Sequence, residues 1–358
     1  MSKSAAQVFY ATLDSGHSRS PLDKISRLLR KCDLPQLYHK DELVAVKIHM
    51  GELGNTAFLR PVYLRPVLDA LREVEAKPFL TDTNTLYTGM RWNSVDHLHN
   101  AALNGFNYST LQVPVIIADG LRGENTVAVP VAGELVQSAK LAADIIHADA
   151  LLVVSHFKGH NITGIGGTLK NLAMGCASRA GKLDMHAVMR PTVDQNLCIA
   201  CRRCAQSCQS AAFVFSPKAS ITEKCAGCAR CIGACPHGAI SHDWNQTSAN
   251  VQKKIVEYAK AVVESFDRPI IYINILTDMS PDCDCYGGND APVTANLGFL
   301  AATDPVAIDK AAHDLVIAGC GGVDPFKKRY PKLDCSTTFA HAKQVGLGLS
   351  EYSLQKID

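Results

Sequence analysis

Cys198-Ile-Ala-Cys201-Arg-Arg-Cys204-Ala-Gln-Ser-Cys208 is the stretch around which this chain is organised. Its spacing, C-x2-C-x2-C-x3-C, returns 27 residues later, and Pro236 follows the second run. The second run consists of Cys225, Cys228, Cys231 and Cys235. In proteins with two [4Fe–4S] clusters such runs supply the thiolate ligands, and the fourth cysteine of each run binds the other cluster. The spacing therefore predicts two [4Fe–4S] clusters held crosswise.

This rule divides the eight cysteines into two ligand sets. The first cluster would take Cys198, Cys201, Cys204 and Cys235, and the second Cys208, Cys225, Cys228 and Cys231. The alternatives are disulfides and zinc, because paired C-x2-C units can also hold tetrahedral zinc. A third cysteine at the same offset in both runs fits cubane clusters better than it fits either alternative.

The composition bounds the class of protein and its compartment. The 358 residues predict two or three domains, and 47% of them are hydrophobic, which is enough for a sizeable core. A net charge of +2 and sparse aromatic residues argue against a nucleic-acid partner. Clusters and free thiols among 14 cysteines require a reducing compartment. Met1 to Tyr10 lacks a long apolar segment, and no stretch approaches the length of a membrane span. We therefore expect a cytoplasmic protein without a membrane partner, from a cell that spends time without oxygen.

Short apolar runs alternate with amphipathic stretches on both sides of the cysteine runs. The predicted strands are Leu43–Ile48, Pro78–Thr81, Val113–Ala118, Ala150–Ser155 and Pro269–Ile275. The predicted helices are Pro61–Ala76, Asn93–Asn104, Glu134–Ala148, Val251–Phe266 and Asp304–Ile317. Such alternation is typical of an α/β fold, a layered and mostly parallel sheet covered by helices.

The cysteine runs interrupt this pattern, and the pattern resumes after them. We predict a discontinuous α/β host domain, residues 1–192 and 243–358, with a small ferredoxin-like two-[4Fe–4S] domain inserted at residues 193–242. Three domains in a linear string are the alternative. Neither border carries a Pro/Ser/Gly-rich spacer, so we expect the insertion to pack rigidly on its host.

Three predicted strands end in polar residues, and open parallel sheets bind ligands beyond the carboxyl ends of their strands. The candidate cofactor-binding residues are Lys47, Asp82, Asn84, Lys158, His160, Gly166, Gly167, Lys170 and Asn171. The candidate catalytic residues are His49, Tyr87 and His156. Each has a structural alternative: a histidine satisfied at a strand end, an Asp or Asn that forms a turn, or a tyrosine at the edge of the core.

A glycine loop, Gly164-Ile-Gly-Gly-Thr-Leu-Lys-Asn171, follows the third of these strands. It is neither a Walker loop nor a Rossmann fingerprint. We expect it to open a short helix whose free N–H groups cradle an anion, with Lys158, His160 and Lys170 beside it. An ordinary tight turn is the alternative.

Cys283-Asp-Cys285 is a separate pair of thiols in a loop rich in Gly, Asp and Pro. Thiols at this spacing can ligate a metal, act as a redox pair, or remain free, and their environment decides among these roles. The sequence leaves all three open.

Four strings in the chain carry a resemblance to a known family. They are His156-Phe-Lys-Gly-His160, Gly166-Gly-Thr-Leu-Lys-Asn-Leu-Ala-Met-Gly175, Cys283-Asp-Cys285 and Asp304-Pro-Val-Ala-Ile-Asp309. Together they resemble the family filed as domain of unknown function 362, many of whose members carry an inserted ferredoxin segment. The resemblance covers nearly the whole chain and implies an α/β host and cluster binding at the eight cysteines, but no activity. Asn296 stands where an aspartate would be expected.

These observations lead to one functional hypothesis with two alternatives. We expect an iron–sulfur oxidoreductase that takes electrons from a redox protein such as ferredoxin. The two clusters would pass the electrons to an anionic small molecule, either a substrate or a flavin- or deazaflavin-like cofactor, with proton transfer by His49, His156 or Tyr87. The alternatives are an electron carrier without its own substrate, and a metal or cofactor maturation protein whose cargo is held by Cys283 and Cys285.

Overall fold

The computed structural model describes residues 5–14, 20–186, 190–241 and 247–357. The strands are β1 Ala6–Ala11, β2 Leu43–Lys47, β3 Lys77–Asp82, β4 Val115–Ile117, β5 Thr126–Pro130, β6 Ser138–Ala142, β7 Ala150–His156, β8 Lys158–His160, β9 Gly164–Gly166, β10 Thr192–Val193, β11 Phe213–Phe215, β12 Ala219–Ile221, β13 Ile240–Ser241, β14 Ile271–Leu276, β15 Gly298–Ala302 and β16 Tyr352–Lys356.

The helices surround these strands. They are α1 Pro21–Lys31, α2 Leu34–Leu37, α3 Arg65–Glu73, α4 Ser94–Leu103, α5 Tyr108–Leu111, α6 Ala143–Ile146, α7 Thr168–Cys176, α8 Arg179–His186, α9 Arg203–Gln206, α10 Arg230–Ala234, α11 Ser248–Glu264, α12 Pro305–Gly319, α13 Pro325–Arg329 and α14 Ser336–Gln344, with a 3-10 helix at Pro61–Leu64. Among the described helices, none combines the length and the apolar character needed to cross a lipid bilayer.

Within the described residues, eight strands form one sheet in the order β16-β1-β15-β14-β7-β2-β3-β4. All neighbouring pairs are parallel except those that β15 makes with β1 and β14. The carboxyl ends of β2, β3, β4, β7 and β14 therefore meet at one edge. The predicted fold class, a mostly parallel α/β sheet with helices, is confirmed.

Two apolar cores cover the two faces of this sheet. Successive residues of the central strands alternate between them: Ala45 and Val153 lie in one core, and Val46 and Leu152 in the other. Helices α7, α11, α12 and α14 complete the first core, and α1, α3 and α4 the second. Strand β7 is buried along its whole length, as its continuous apolar run predicted.

Local sequence signals set several helix ends. The Asn93 side chain accepts hydrogen bonds from two backbone N–H groups at the start of α4, and Gly105, with φ of 86°, follows the end of that helix. Asp304 caps α12 in the same way, with Pro305 in its first turn. Short polar side chains satisfy the N–H groups that a helix start leaves unpaired, which is why these boundaries were predictable.

One predicted helix, Glu134–Ala148, is wrong. Residues 138–142 form β6, which pairs antiparallel with β5, and only Ala143–Ile146 is helical. The buried carboxylate of Glu257 accepts hydrogen bonds from the backbone N–H groups of residues 134–136 at 2.7–3.2 Å, which holds this segment out of a helix. A partner more than 120 residues away thus overrides the local helical pattern.

The cysteine-rich segment lies apart from the main sheet. Its strands form two separate antiparallel pairs, β10 with β13 and β11 with β12. The host sheet contains strands from both before and after this segment. The predicted borders of host and insertion remain a prediction, and the border at 242–243 falls outside the described residues.

Candidate functional site

A cavity of about 710 Å³ opens where β2, β3 and β7 end. Most of the residues predicted from the strand ends line it. They are His49, Asp82, Tyr87, His156, Lys158, His160, Gly167, Lys170 and Asn171. The parallel sheet brings these residues together because its strand ends share one edge.

The structure does not place Lys47, Asn84 and Gly166 in the cavity wall. Lys47 lies behind Asp82 and forms a buried salt bridge with it, with Nζ 2.9 Å from Oδ1. The Asn84 side-chain amide donates instead to Asp119 Oδ1 at 2.8 Å. Gly166 belongs to β9, which pairs with β8. These three residues therefore lie outside the cavity lining and bond to the structure around it.

Another part of the cavity wall is a hydrogen-bonded group of side chains centred on Arg91. Its Nε donates to Glu52 Oε2 at 3.0 Å, its Nη1 faces His49 Nε2 at 2.8 Å, and its Nη2 donates to the Tyr87 hydroxyl at 2.7 Å. Burial and the Arg91 charge lower the pKa of His49 well below its usual value. Burial raises the pKa of Tyr87 well above its usual value. Both groups are therefore neutral near pH 7.

His156 is held at both ring nitrogens. Its Nδ1 lies 2.9 Å from Asp284 Oδ2, and its Nε2 lies 2.7 Å from the Thr277 carbonyl oxygen. Lys158 Nζ also contacts Asp284, at 3.2 Å. The middle residue of the Cys-Asp-Cys motif is thus anchored at the cavity by His156, the last residue of β7, and Lys158, the first residue of β8.

The expected cradle of free N–H groups at the glycine loop is corrected by the structure. Helix α7 does begin there, but the N–H groups of Thr168 and Leu169 donate to the Asp309 carboxylate at 2.8 and 2.9 Å. Asp309 comes from α12, about 140 residues further along the chain. The helix start is therefore capped by the protein itself and is not open to an external anion.

Two lysines give the cavity its positive charge. Among the described residues, Lys170 and Lys182 have no carboxylate within ion-pair distance, whereas the other cavity cations are paired. Lys170 Nζ lies 3.6 Å from Cys283 Sγ, and Lys182 Nζ donates to Thr83 Oγ1 and to the Ala177 carbonyl oxygen. Burial lowers the pKa of Lys182 to about 8. Lys170 lies beside the Cys283 sulfur, and Lys182 is bonded only to neutral oxygens among the described groups.

His160, Cys283 and Cys285 converge at one side of the cavity. One ligand atom from each lies within 4.8 Å of the other two, which is close enough to share a metal ion. The hydrogen bond between the two cysteines lowers the pKa of Cys283 well below its usual value and raises that of Cys285. The sequence showed the two thiols but gave no sign that His160 joins them.

The eight cysteines of the two runs form no disulfide among the described residues. Residues at equivalent positions of the two runs share a left-handed backbone: Ala200 matches Gly227, and Arg202 matches Ala229, with φ between 56° and 65°. A one-turn helix, α9 or α10, follows each pair. The 27-residue sequence repeat is therefore also a structural repeat.

The first predicted ligand set lies together in space. Cys198, Cys201, Cys204 and Cys235 all line one small cavity of their own. The fourth of these comes from the second run, as the crosswise rule requires. The cysteine-rich segment is compatible with the binding of a metal cluster.

Leu86 connects the cysteine-rich segment with the large cavity. It lines that cavity and is also a buried member of the apolar cluster that contains Cys198, Cys204 and Cys231. Thr88, another cavity residue, lies beside Gly238 at the end of the second run. The wall of the large cavity is therefore continuous with the apolar cluster that contains these cysteines.

Sequence reasoning missed several residues of the cavity. Lys182 lies on α8 and Tyr286 follows the Cys-Asp-Cys motif, and neither stands at the end of a central strand. Asp284 was visible between two cysteines, but its partners His156 and Lys158 are far away in sequence. No signal in the sequence indicates these contacts, because they depend on how loops fold back over the sheet edge.

The fold and these sites define an α/β protein with a cationic cavity at the carboxyl edge of its sheet and a cysteine-rich segment suited to metal binding. The family described as Domain of unknown function (DUF362) matches residues 44–314. The chain belongs to this family, as its motifs predicted.

Solved structures offer only distant similarity. The lactate racemase apoprotein from Thermoanaerobacterium thermosaccharolyticum is 12% identical, with a TM-score of 0.43 over 88% of this chain and 56% of that one. A Thermotoga maritima protein is 10% identical, with a TM-score of 0.43 over 86% of this chain and 60% of that one. The chain thus spans less than two thirds of either structure. Among curated proteins, none matches the chain.

Proposed function

We propose that the protein is an iron–sulfur oxidoreductase. Two [4Fe–4S] clusters, bound by the cysteines of the two runs, would supply single electrons from a partner such as ferredoxin to a molecule in the large cavity. The observation that carries this proposal is Leu86, which belongs both to the cavity wall and to the apolar cluster around the cysteines. Clusters at these cysteines would then lie in the same apolar cluster as part of the cavity wall, which supports electron transfer between the two sites.

The cysteine geometry supports metal binding, and the repeated spacing favours clusters over zinc. Four cysteines of the first set line one small cavity, and both runs share the same backbone conformation. The ferredoxin-like insertion at residues 193–242 is part of this proposal. Thiolates at these positions are the ligand type that [4Fe–4S] clusters require.

The charge of the cavity supports an anionic ligand. Lys170 and Lys182 face it without a carboxylate partner among the described residues, and Lys158 is shared with Asp284. A carboxylated substrate fits this charge, and so does a flavin- or deazaflavin-like cofactor. Side chains on rigid strand ends would fix its orientation.

Protons must accompany the electrons, and the cavity offers several groups for their transfer. We retain His49, His156 and Tyr87 as candidates. Because its pKa is lowered to about 8, Lys182 can give up a proton close to neutral pH, which favours it as an additional proton donor. Neutral His49 and Tyr87 would then orient the ligand by hydrogen bonds.

Anaerobic purification of the full chain tests the cluster part of the proposal. We expect about eight irons and about eight acid-labile sulfides per chain. Cys204→Ala should lose both iron and sulfide, whereas Cys32→Ala, at a buried cysteine in the core under α1, should keep them. Zinc at the cysteine runs, or disulfides between them, would contradict the proposal.

Extraction of the same protein tests the cavity part. We expect a co-purified anionic organic molecule, detected by absorbance and mass spectrometry, with lower occupancy in Lys170→Met and Lys182→Met. Lys310→Met is the matched control, because Lys310 pairs with Asp314 on the surface of α12. Clusters without any such molecule would favour the electron-carrier alternative.

A further inference from the structure

We propose that His160, Cys283 and Cys285 bind a single divalent transition-metal ion at the wall of the large cavity. This site is separate from the two clusters. It rests on the proposed substrate cavity, but it does not require the electron relay.

The three ligand atoms are brought together by two different parts of the chain. His160 ends β8, and the cysteines lie in the loop that follows β14. Their ligand atoms all lie within 4.8 Å of one another, and the residues are buried or nearly so. Two thiols and one imidazole form a donor set that transition-metal ions accept.

The residue between the two cysteines anchors their loop. Asp284 is fully buried and bonded to His156 and Lys158, and it is not among the residues that line the cavity. The cysteines on either side of it both line the cavity. The loop is held against β8 by the Gly159 N–H, which donates to the Ser280 carbonyl oxygen at 2.9 Å.

The environment of His160 supplies a supporting contact of the kind that metal-binding histidines use. Its Nδ1 lies 3.0 Å from Thr163 Oγ1, and that hydroxyl donates to the Ile165 carbonyl oxygen at 2.7 Å. The hydroxyl oxygen can therefore accept a hydrogen bond from a protonated Nδ1, which leaves Nε2 as the ligand atom. In the other tautomer, Nδ1 accepts from the N–H groups of Ile162 and Thr163 at 3.2 Å, and Nε2 carries the proton. Metal binding through Nε2 would require the first tautomer, at the expense of these two backbone hydrogen bonds.

The donor set indicates which ions fit. Thiolate and imidazole ligands suit Zn²⁺ and the neighbouring transition metals, and not Mg²⁺ or Ca²⁺, which prefer oxygen. Two thiolates and one imidazole leave a fourth tetrahedral position open, as in catalytic zinc sites. All three residues line the cavity, so a ligand in the cavity could reach a metal held by them. A carboxylate or carbonyl oxygen of the substrate would occupy it and be polarised there.

Elemental analysis of the anaerobically purified full chain tests this proposal. We expect about one zinc, nickel, cobalt or non-cluster iron per chain. Because a [4Fe–4S] cluster holds equal numbers of iron and sulfide, non-cluster iron would appear as an excess of iron over sulfide. Cys283→Ser and His160→Gln should each lose this metal with cluster iron and sulfide unchanged. Cys320→Ser, at a partly buried cysteine that contacts the Val293 carbonyl oxygen, should keep it.

X-ray absorption at the edge of the extra metal gives a second readout. For zinc we expect two sulfur neighbours at about 2.3 Å and nitrogen at about 2.0 Å. The proposal would be overturned if the wild-type chain lacked the metal or if Cys283→Ser retained it. It would also be overturned if iodoacetamide alkylated Cys283 as fast as it alkylates a free thiol. Cys204→Ala should lose a cluster and keep this metal, so failure of the electron relay and failure of this site can be told apart.

Discussion

Replacement of Lys47 by methionine removes the cation that balances Asp82 beneath the cavity. The two side chains are 0% and 4% exposed, and Lys47 Nζ also donates to Asn171 Oδ1 and the Ile48 carbonyl oxygen at 2.6 Å. Removing one partner of a buried ion pair costs about 3–5 kcal/mol, because the other charge stays buried and uncompensated. We expect Lys47→Met to lower the free energy of unfolding at pH 7.5 by that amount, measured by urea titration under anaerobic conditions with circular dichroism.

The pH dependence and two further variants test the cause of this loss. Burial acts to raise the pKa of Asp82, but Lys47, together with His49, His97 and Arg91, outweighs it and holds the pKa well below its usual value. In the wild type, the stability from this carboxylate is therefore present above about pH 4 and is lost as the pH falls further. Without Lys47, burial should raise that pKa, so Lys47→Met should lose less stability at pH 5 than at pH 7.5.

The double variant Lys47→Met/Asp82→Asn should recover most of the loss, because it leaves no buried charge. Lys40→Met is the surface control: Lys40 pairs with Glu75, both side chains are more than 60% exposed, and the cost should stay below about 1 kcal/mol. Equal losses in the single and double variants would refute the reasoning, since the uncompensated carboxylate could not then be the cause.

Three further predictions follow from other buried groups. Burial lowers the pKa of His97 to about 3, so the unfolded state gains a proton below about pH 6.5 that the folded state does not, and stability falls as the pH falls. His97→Leu should flatten this slope by up to about 1.4 kcal/mol per pH unit in urea titrations. Glu257→Gln should lower the free energy of unfolding by about 2–4 kcal/mol and speed proteolysis at residues 134–136, because an amide NH₂ would face their N–H groups. Unchanged proteolysis would contradict this prediction. Gly159→Ala should displace the Pro281 carbonyl oxygen, which a Cβ would approach to 1.9 Å, and so release the proposed single metal while cluster iron stays constant.

The sequence was sufficient for the features that depend on local pattern. The continuous apolar run of β7 predicted a buried parallel strand, and Asp304-Pro305 predicted the start of α12. The strand ends predicted most of the cavity wall, because the edge of a parallel sheet gathers them regardless of loop details.

The features that failed depend on partners distant in the chain. Residues 134–148 have a helical pattern, yet the first of them bind Glu257 and are not helical. The start of α7 looked open to an anion, yet Asp309 occupies it. Neither carboxylate carries a local signal of its target. The sequence does not show which backbone N–H groups a buried carboxylate will bind, so these contacts could be found only in the folded chain.

The charged groups around the large cavity already hold one another in place. Arg91 is fixed by Glu52, Lys158 by Asp284, and the loop behind them by buried hydrogen bonds. The side chains that line the cavity would need little rearrangement to bind a ligand, so the entropy lost on binding should come mainly from the ligand itself. Selectivity would then depend on the shape of the ligand and the positions of its charges, and close analogues with a displaced anionic group should bind more weakly.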